Sequence, residues 1–320
     1  TRTGVDTISY FGAFYKVDLT EGFPLLTTKK MHWNSILHEV LWYLSGENHI
    51  RNLRQHTKIW DAWADENGVL ETAYGYYWRH FPSAQKNKSG YVLNGRKMWI
   101  TNGTIAKVAI IWAKCDQDIR GFLVETDSPG FRATPIQRKF SYRTSATALI
   151  ELKDCAVDAD QILPGANGLK SIFECLNFAR YGVACGAVGS AVACYQAARA
   201  FALKRQVFNQ AIAGYQLVQD RLVRMLVEIT KAQLVNYHLG RLLDTHQSRP
   251  AQISLAKMNN VQEAIMIARI ARDILGARGI LADHQIIRHL CDLEAISALE
   301  GTDSMHTLVI GQEITGISAL

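Results

Sequence analysis

The 320-residue chain has no CxxC pair, no apolar run of membrane length, and no arginine-rich stretch or basic stripe interleaved with aromatics. Each absence removes a class of function. Cys115, Cys155, Cys175, Cys185, Cys194 and Cys291 read as buried, reduced thiols of a cytosol-like compartment, not as disulfides or a zinc site. A membrane-spanning helix needs roughly 20 apolar residues, and the first residues carry no charged-then-apolar signal pattern, so membrane insertion is not expected. A net charge of +6 is too small and too scattered to argue for nucleic acid; it supports only a weak attraction to anionic ligands. The chain opens at Thr1 and not at Met, as a fragment or processed product does.

What is present is ordinary for a soluble globular protein: 48% hydrophobic and 20% charged residues, at a length that suggests two or three domains. Its distribution is uneven. Trp33, Trp42, Trp60, Trp63 and Trp78 are five of the seven tryptophans, and only Trp99 and Trp112 follow. Residues 1–83 carry 8 Lys+Arg against 9 Asp+Glu, which leaves 27 against 20 for the remainder. The break falls at the polar stretch WRHFPSAQKNKSGYVLNG, residues 78–95, and reads as a domain boundary or a join between unrelated pieces.

In the first piece, MHWNSILHEVLWYLSG places Trp33, Ile36, Leu37, Val40, Leu41 and Leu44 at helical spacing before Gly46. This predicts an amphipathic helix with one broad buried face. GFPLLTTKK reads as a turn entering a strand, and TKIWDAWADENG ends in a polar turn. In the second piece, Asn94-Gly95 lies between two apolar-alternating runs and predicts a hairpin turn. KVAIIWAKC, RGFLVET and TALIELKDCAV predict further strands. From Gly165 onward four long apolar-striped segments with short connections predict an antiparallel helix bundle. The fold class is therefore α+β.

The first piece resembles the start of thymidylate synthases: TRTG, ISYFG, GFPLLTTKK, SILHEVLWYLSG, IWDAWADENG and YGYYWR stand in that family's order. The resemblance implies a truncated α/β segment over residues 1–83. In it Arg2 grips a nucleotide phosphate, Glu39 relays protons, and Trp60 and Trp63 line the folate side. A guanidinium suits phosphate, and a partly buried carboxylate suits proton relay. Taken as bare residues, Arg2 is a solvated terminal arginine and the tryptophans are structural. The family's nucleophilic cysteine has no counterpart, since no cysteine precedes Cys115 and IIWAKCDQD does not match the nucleophile segment. LETAYG also departs from the family's Gly-Pro before that tyrosine.

The second piece is similar to acyl-CoA dehydrogenases, and within them to glutaryl-CoA dehydrogenases. LNGRKMWITNG, KFSYRTSATALIELKDCAV, RQVFNQAIAGYQLVQ, ILGARGILADHQIIRHLCD and LEGTDSMHTLVIGQEITG follow the family order. This implies a partial middle β domain over residues 84–163 and a C-terminal four-helix bundle over 164–320. The implied reaction is α,β-dehydrogenation of an acyl-CoA thioester with FAD as cofactor. Glu300 matches the catalytic base, which must hold a carboxylate in an apolar, water-poor pocket. Charge developing on the thioester oxygen meets the glutamate's backbone N–H and a flavin hydroxyl. Arg180 and Gly301 fall in substrate-contacting segments. Trp99, Ile100 and Thr101 match the segment along the flavin ring. Arg205 and Gln216 match a pair reaching a neighbouring subunit's FAD, and Asp273, Ile274, Leu275, Gly276 and Ala277 match the turn beside the adenine end. Thr302 and Leu320 match further FAD contacts.

The bare residues leave other readings open: Trp99 as a core tryptophan, Arg180 as a helix-surface arginine, and Glu300 as a helix-flanking glutamate. Three positions depart from the family: Asn209 and Ala277 replace glycines, and Leu299 replaces an aromatic. The family's helical N-terminal domain, with the arginine that grips a substrate carboxylate and the flavin loop before the hairpin, is replaced by the synthase-like piece. The resemblance implies an electron-transfer flavoprotein as acceptor, no metal, and a cytoplasmic location (mitochondrial matrix in a eukaryote). Uncovered apolar surface predicts a homodimer or homotetramer.

Overall fold

The computed structural model describes residues 33–62, 64–70, 73, 76, 81–116 and 118–318. The chain divides into two compact units, Thr1–His80 and Phe81–Leu320.

In the first unit, helix α1 (Trp33–Ser45) is closed by Gly46 at φ 75°, the left-handed position that favours glycine after a helix. Its apolar stripe is not the face it buries. Leu37, Val40, Leu41 and Leu44 are 39%, 48%, 49% and 52% exposed. Trp42, about 140° around the helix from Leu37, is buried with Ile50, Leu53, Leu70 and Ala73. The indole decides this orientation: its Nε1 donates to the His49 carbonyl at 3.1 Å, and its ring packs against Tyr43 and Trp60. The polar turn forms as expected, with Asp65 Oδ1 accepting from the N–H groups of Asn67 and Val69 at 3.0 and 2.7 Å. The strand expected at GFPLLTTKK lies outside the described residues.

The second unit opens with a seven-stranded sheet. Its strands are β1 (Ser83–Lys86), β2 (Gly90–Ile100), β3 (Val108–Cys115), β4 (Asp118–Glu125), β5 (Phe131–Pro135), β6 (Ala148–Asp158) and β7 (Ile162–Asn167), in the order β5-β6-β2-β1-β3-β4-β7. All pairs are antiparallel except β1 with β3. The sheet thus runs on to Asn167, past residue 163. Leu93, Ile111, Phe122 and Ile150 fill its core.

The hairpin turn is not at Asn94-Gly95. Those residues lie inside β2, at a bulge where the register against β6 slips between Leu93 and Gly95. Gly95 has φ 142°, and a Cβ there would stand 2.6 Å from Pro82 Cα. Asn94 is held by Asp154, whose backbone N–H donates to Asn94 Oδ1 at 2.8 Å. An Asn-Gly pair serves a bulge as readily as a turn, because both need unusual backbone angles. The turn is the polar run itself: Lys86 pairs with Tyr91, and Asn87 Oδ1 accepts from the N–H groups of Ser89 and Gly90, a side-chain-closed turn.

Helices α2 (Gly168–Lys204), α3 (Gln216–Asp244) and α4 (Pro250–Leu275) form the bundle with two shorter ones, α5 (Ile286–Ala298) and α6 (Asp303–Thr315). The last was not expected as a separate helix. Its signal is Thr302, whose side chain accepts from Met305 N–H as an N-cap. Small residues at helical spacing, Ala184, Ala187, Ala191, Cys194 and Ala198, are buried along α2 and bring it close to the buried Ala264, Ala268 and Ala271 of α4. Cys115, Cys155 and Cys194 are buried free thiols, whereas Cys175 is exposed. Burial pushes the Cys194 thiol up to about 12. A two-residue ribbon, β8 (Gln206–Val207) and β9 (Gln210–Ala211), links α2 to α3. Among the described residues no helix is long and apolar enough to cross a membrane.

Candidate active site

Between α5 and α6 the chain makes a loop that places Glu300 at φ 56° and Gly301 at φ 107°. A left-handed glutamate is costly, of order 1–3 kcal/mol, and persists only where its surroundings enforce it. Here they hold the backbone. Arg180 Nε, from α2, donates to the Glu300 carbonyl at 2.8 Å. Lys257 Nζ, from α4, donates to the carbonyls of Ser297 at 3.0 Å and Gly301 at 2.8 Å. Gly301 must stay glycine, since a Cβ would sit 3.2 Å from the His306 ring in a backbone conformation that L side chains rarely adopt.

The carboxylate itself is left free. Glu300 Oε2 is buried and accepts no hydrogen bond among the described residues, and the same holds for Asp303 Oδ1 and His306 Nε2. Asp303 Oδ2 accepts from Gln262 Nε2 at 3.0 Å. Burial brings the Lys257 ammonium down to about 8, opposed by Asp303. Burial, with the positive charges of Lys257 and Arg180, brings His306 down to about 4, so its imidazole is neutral near pH 7. Burial also draws the Arg180 guanidinium down, against the pull of Glu300. Arg180 and Lys257 thus interact with Glu300, and Asp303 and His306 with Lys257, a cluster of perturbed ionisable groups of the kind that marks functional sites.

A cavity of about 360 Å³ lies beside this loop, with Trp99, Thr101, Phe140, Tyr142, Ala295 and Leu299 in its wall. Its size falls in the range of small-molecule sites, about 300–1,000 Å³. Trp99 is 55% exposed and has φ 66° at a second register slip of β2, between Lys97 and Ile100. It is therefore a wall of the cavity and not a core tryptophan. Leu299, where the family carries an aromatic, forms part of the same wall. The segment carrying Phe140 is fastened to α5: Ser141 Oγ donates to the Cys291 carbonyl, and Tyr142 N–H donates to Asp292 Oδ1 at 2.7 Å.

Of the expected residues, the structure brings Glu300, Gly301, Thr302 and Arg180 together, and Trp99 and Thr101 to the cavity. Arg180 is no helix-surface arginine. Ile100 is half-buried beside Trp99. Arg205 and Gln216 flank the β8–β9 ribbon and are exposed; Arg205 lines a separate cavity of about 620 Å³ with Lys204, Arg278 and His284. At the ribbon's tip Asn209 has φ 63°, a left-handed conformation asparagine tolerates, so its replacement of glycine leaves the turn intact. Ile274 and Leu275 are bundle core, which leaves Asp273, the Gly276 turn at φ 58° and the exposed Ala277 to meet a ligand. In the first unit Glu39 Oε1 accepts from Trp60 Nε1 at 2.7 Å. Arg2, Trp63 and Leu320 lie outside the described residues. Lys257 and His306 were missed. The signal for Lys257 was its register, on the buried stripe of Ile253, Ala256, Asn260 and Val261.

Family comparisons match both families, over ranges that overlap between residues 71 and 110. The acyl-CoA dehydrogenase middle domain matches residues 71–155 and the C-terminal domain residues 166–315. Thymidylate synthase matches residues 1–110, beyond the last ordered motif and into the sheet of the second unit. A glutaryl-CoA dehydrogenase from Mycobacterium smegmatis, solved in complex with FADH2, is 40% identical; the match covers 82% of this chain and 72% of that one with a TM-score of 0.74. A second structure of glutaryl-CoA dehydrogenase from the same organism is 34% identical over 90% of this chain and 88% of that one, also with a TM-score of 0.74. The thymidylate synthase of Haloferax volcanii is 51% identical over 122 residues, 37% of this chain, and the chain spans only 36% of that relative's length.

Proposed function

The chain belongs to the acyl-CoA dehydrogenase family, and from that premise we propose that it oxidises a glutaryl-CoA-like thioester with FAD, using Glu300 as the base. The observation that carries this reading is the buried, unpartnered Glu300 Oε2, held by backbone contacts next to an apolar cavity. The residues present fit a flavin. Trp99 and Leu299 would supply apolar walls for a planar ring, and Thr101 and Thr147 hydroxyls; Arg205, which lines a separate cavity, would offer its charge to the pyrophosphate of a flavin held by a neighbouring copy. When bound, the flavin accepts the hydride that leaves the β-carbon.

The remaining work falls to the chain. Glu300 takes the α-proton onto a free carboxylate oxygen, and the electrons of that C–H bond become the new α,β double bond. Arg180 and Lys257 keep the loop from turning the carboxylate away. The neutral His306 adds no charge that could tether Glu300. The two electrons taken from the substrate would have to pass on to an acceptor, for which an electron-transfer flavoprotein is the fitting class. The test is the spectrum of the purified protein: bound flavin, bleached by glutaryl-CoA and more slowly by butyryl-CoA, supports the reading. A colourless protein, or a flavin unchanged by any acyl-CoA, refutes it.

A second reading rests on the thymidylate synthase match and on the Glu39–Trp60 hydrogen bond. With no cysteine before Cys115 to supply the attacking thiolate, we propose nucleotide contact without turnover. Conversion of dUMP to dTMP with folate present would overturn this.

A further inference from the structure

Lys257 is a fully buried lysine on α4, and burial of an ammonium is expensive unless something requires it. Its Nζ donates to two carbonyls, Ser297 at 3.0 Å and Gly301 at 2.8 Å, which bracket Glu300 in sequence. Ser297 O is one of the last carbonyls of α5, which lack intrahelical partners and favour a cation. Gly301 O belongs to the left-handed turn. One side chain thus ties the end of a helix to the far side of the strained loop.

We infer that Lys257 is a positioning residue for the dehydrogenation base: it clamps the Ser297–Gly301 backbone so that Glu300 is aimed without any hydrogen bond to its carboxylate. The logic is chemical. A base oriented by donors on its own oxygens loses the lone pairs it needs, so orientation has to come through the main chain. Arg180 fixes the Glu300 carbonyl, and Lys257 fixes the backbone on either side of it. Asp303, Arg180, Glu300 and His306 face this ammonium. The carboxylates of Asp303 and Glu300 offset its charge, Arg180 opposes it, and none of the four bonds to it among the described residues.

This inference rests on Glu300 being the base, and the experiment separates the two. K257M and K257Q are prepared as flavin-loaded full-length protein beside the parent. Flavin reduction by glutaryl-CoA is followed under rapid mixing, and amide hydrogen exchange of residues 297–303 is measured without substrate. The expected result is that K257M retains flavin and substrate affinity, but its limiting reduction rate falls about 100-fold, as for a displacement near 1 Å. Exchange at 299–301 should accelerate, and K257Q, which keeps donors without charge, should recover part of both. An unchanged limiting rate in folded K257M, with only the melting temperature lowered, would show that Lys257 merely caps α5. Unchanged exchange overturns the clamp whatever the rates do. If the parent flavin is not reduced at all, the base assignment fails while exchange still decides the clamp. If neither variant folds, the lysine is a folding determinant and the inference is wrong.

Discussion

The two units treat a helix in opposite ways. In the second, α4 buries Ile253, Ala256, Val261, Ala264, Ile267, Ala268 and Ala271 along its apolar stripe and places Lys257 among them to serve the loop at Glu300. In the first, α1 exposes its apolar stripe and turns Glu39, Trp42 and Tyr43 inward, where Trp60 meets both Glu39 and Trp42. Periodicity names the apolar face of a helix; only the surrounding chain decides whether that face is covered. Where several long helices share one core the two coincide, and where a single helix packs on loops an aromatic with a hydrogen-bonding edge can win.

The largest contrast should be between the two glutamates. Glu300→Gln keeps the loop and removes the base, so flavin should stay bound while its reduction by acyl-CoA falls about 100- to 10,000-fold. Glu39→Gln, in the other unit, should leave flavin reduction at the parent rate. Rapid-mixing absorbance measures both. Equal bleaching in the parent and the Glu300 variant would return Glu300 to a structural role at a helix end.

Next comes the core itself. Ile267 is 2% exposed in the bundle, and Ile267→Ala should cost about 2–5 kcal/mol through lost burial and a cavity. Denaturant unfolding monitored by helical ellipticity would show it. A cost below 1 kcal/mol would mean that the bundle core is loosely packed and that the contrast between the units is smaller than drawn.

Buried His306 gives a pH test of the second unit. Its folded value, about 4, lies below its ordinary 6.5. Between these values the unfolded chain binds a proton that the native chain refuses, so stability falls as pH drops from 6.5 to 4. Above 6.5 the contribution is fully present. His306→Gln should remove up to about one proton from the slope of stability against pH in that window, measured as the difference between parent and variant. Identical slopes would show that the imidazole titrates in the native state as it does in the unfolded chain.

Much of the fold was legible. Strands β3, β4 and β6 and the three long helices announced themselves by length and period. Glu300, Trp99 and Arg180 were singled out through motif order, and the structure places Arg180 on the Glu300 carbonyl and Trp99 in the cavity wall. What was hidden depended on contacts distant in sequence. Asn94-Gly95 became a bulge because β6 runs beside it. The turn moved to a polar run that composition alone presented as a junction. Lys257 drew no notice in the sequence, because its two carbonyl partners lie 40 and 44 residues away.

The smallest expected effect is also the most direct test of the contrast. Leu41 is 49% exposed on α1, on the stripe that hydrophobic spacing marked for burial. If that face is bare, Leu41→Ala removes a side chain that already meets water. Surface changes of this kind usually stay within about 0.5 kcal/mol, with alanine's better helix propensity offsetting part of the loss. If the face is covered in solution, by a second copy of the chain for example, the same substitution should cost several times more, and its effect should depend on protein concentration. Melting temperatures of the parent and Leu41→Ala at two concentrations a hundredfold apart separate these cases. A concentration-independent change within that range keeps α1 as a helix packed through Trp42. A larger, concentration-dependent loss would make its apolar stripe a buried interface and remove the contrast between the two units.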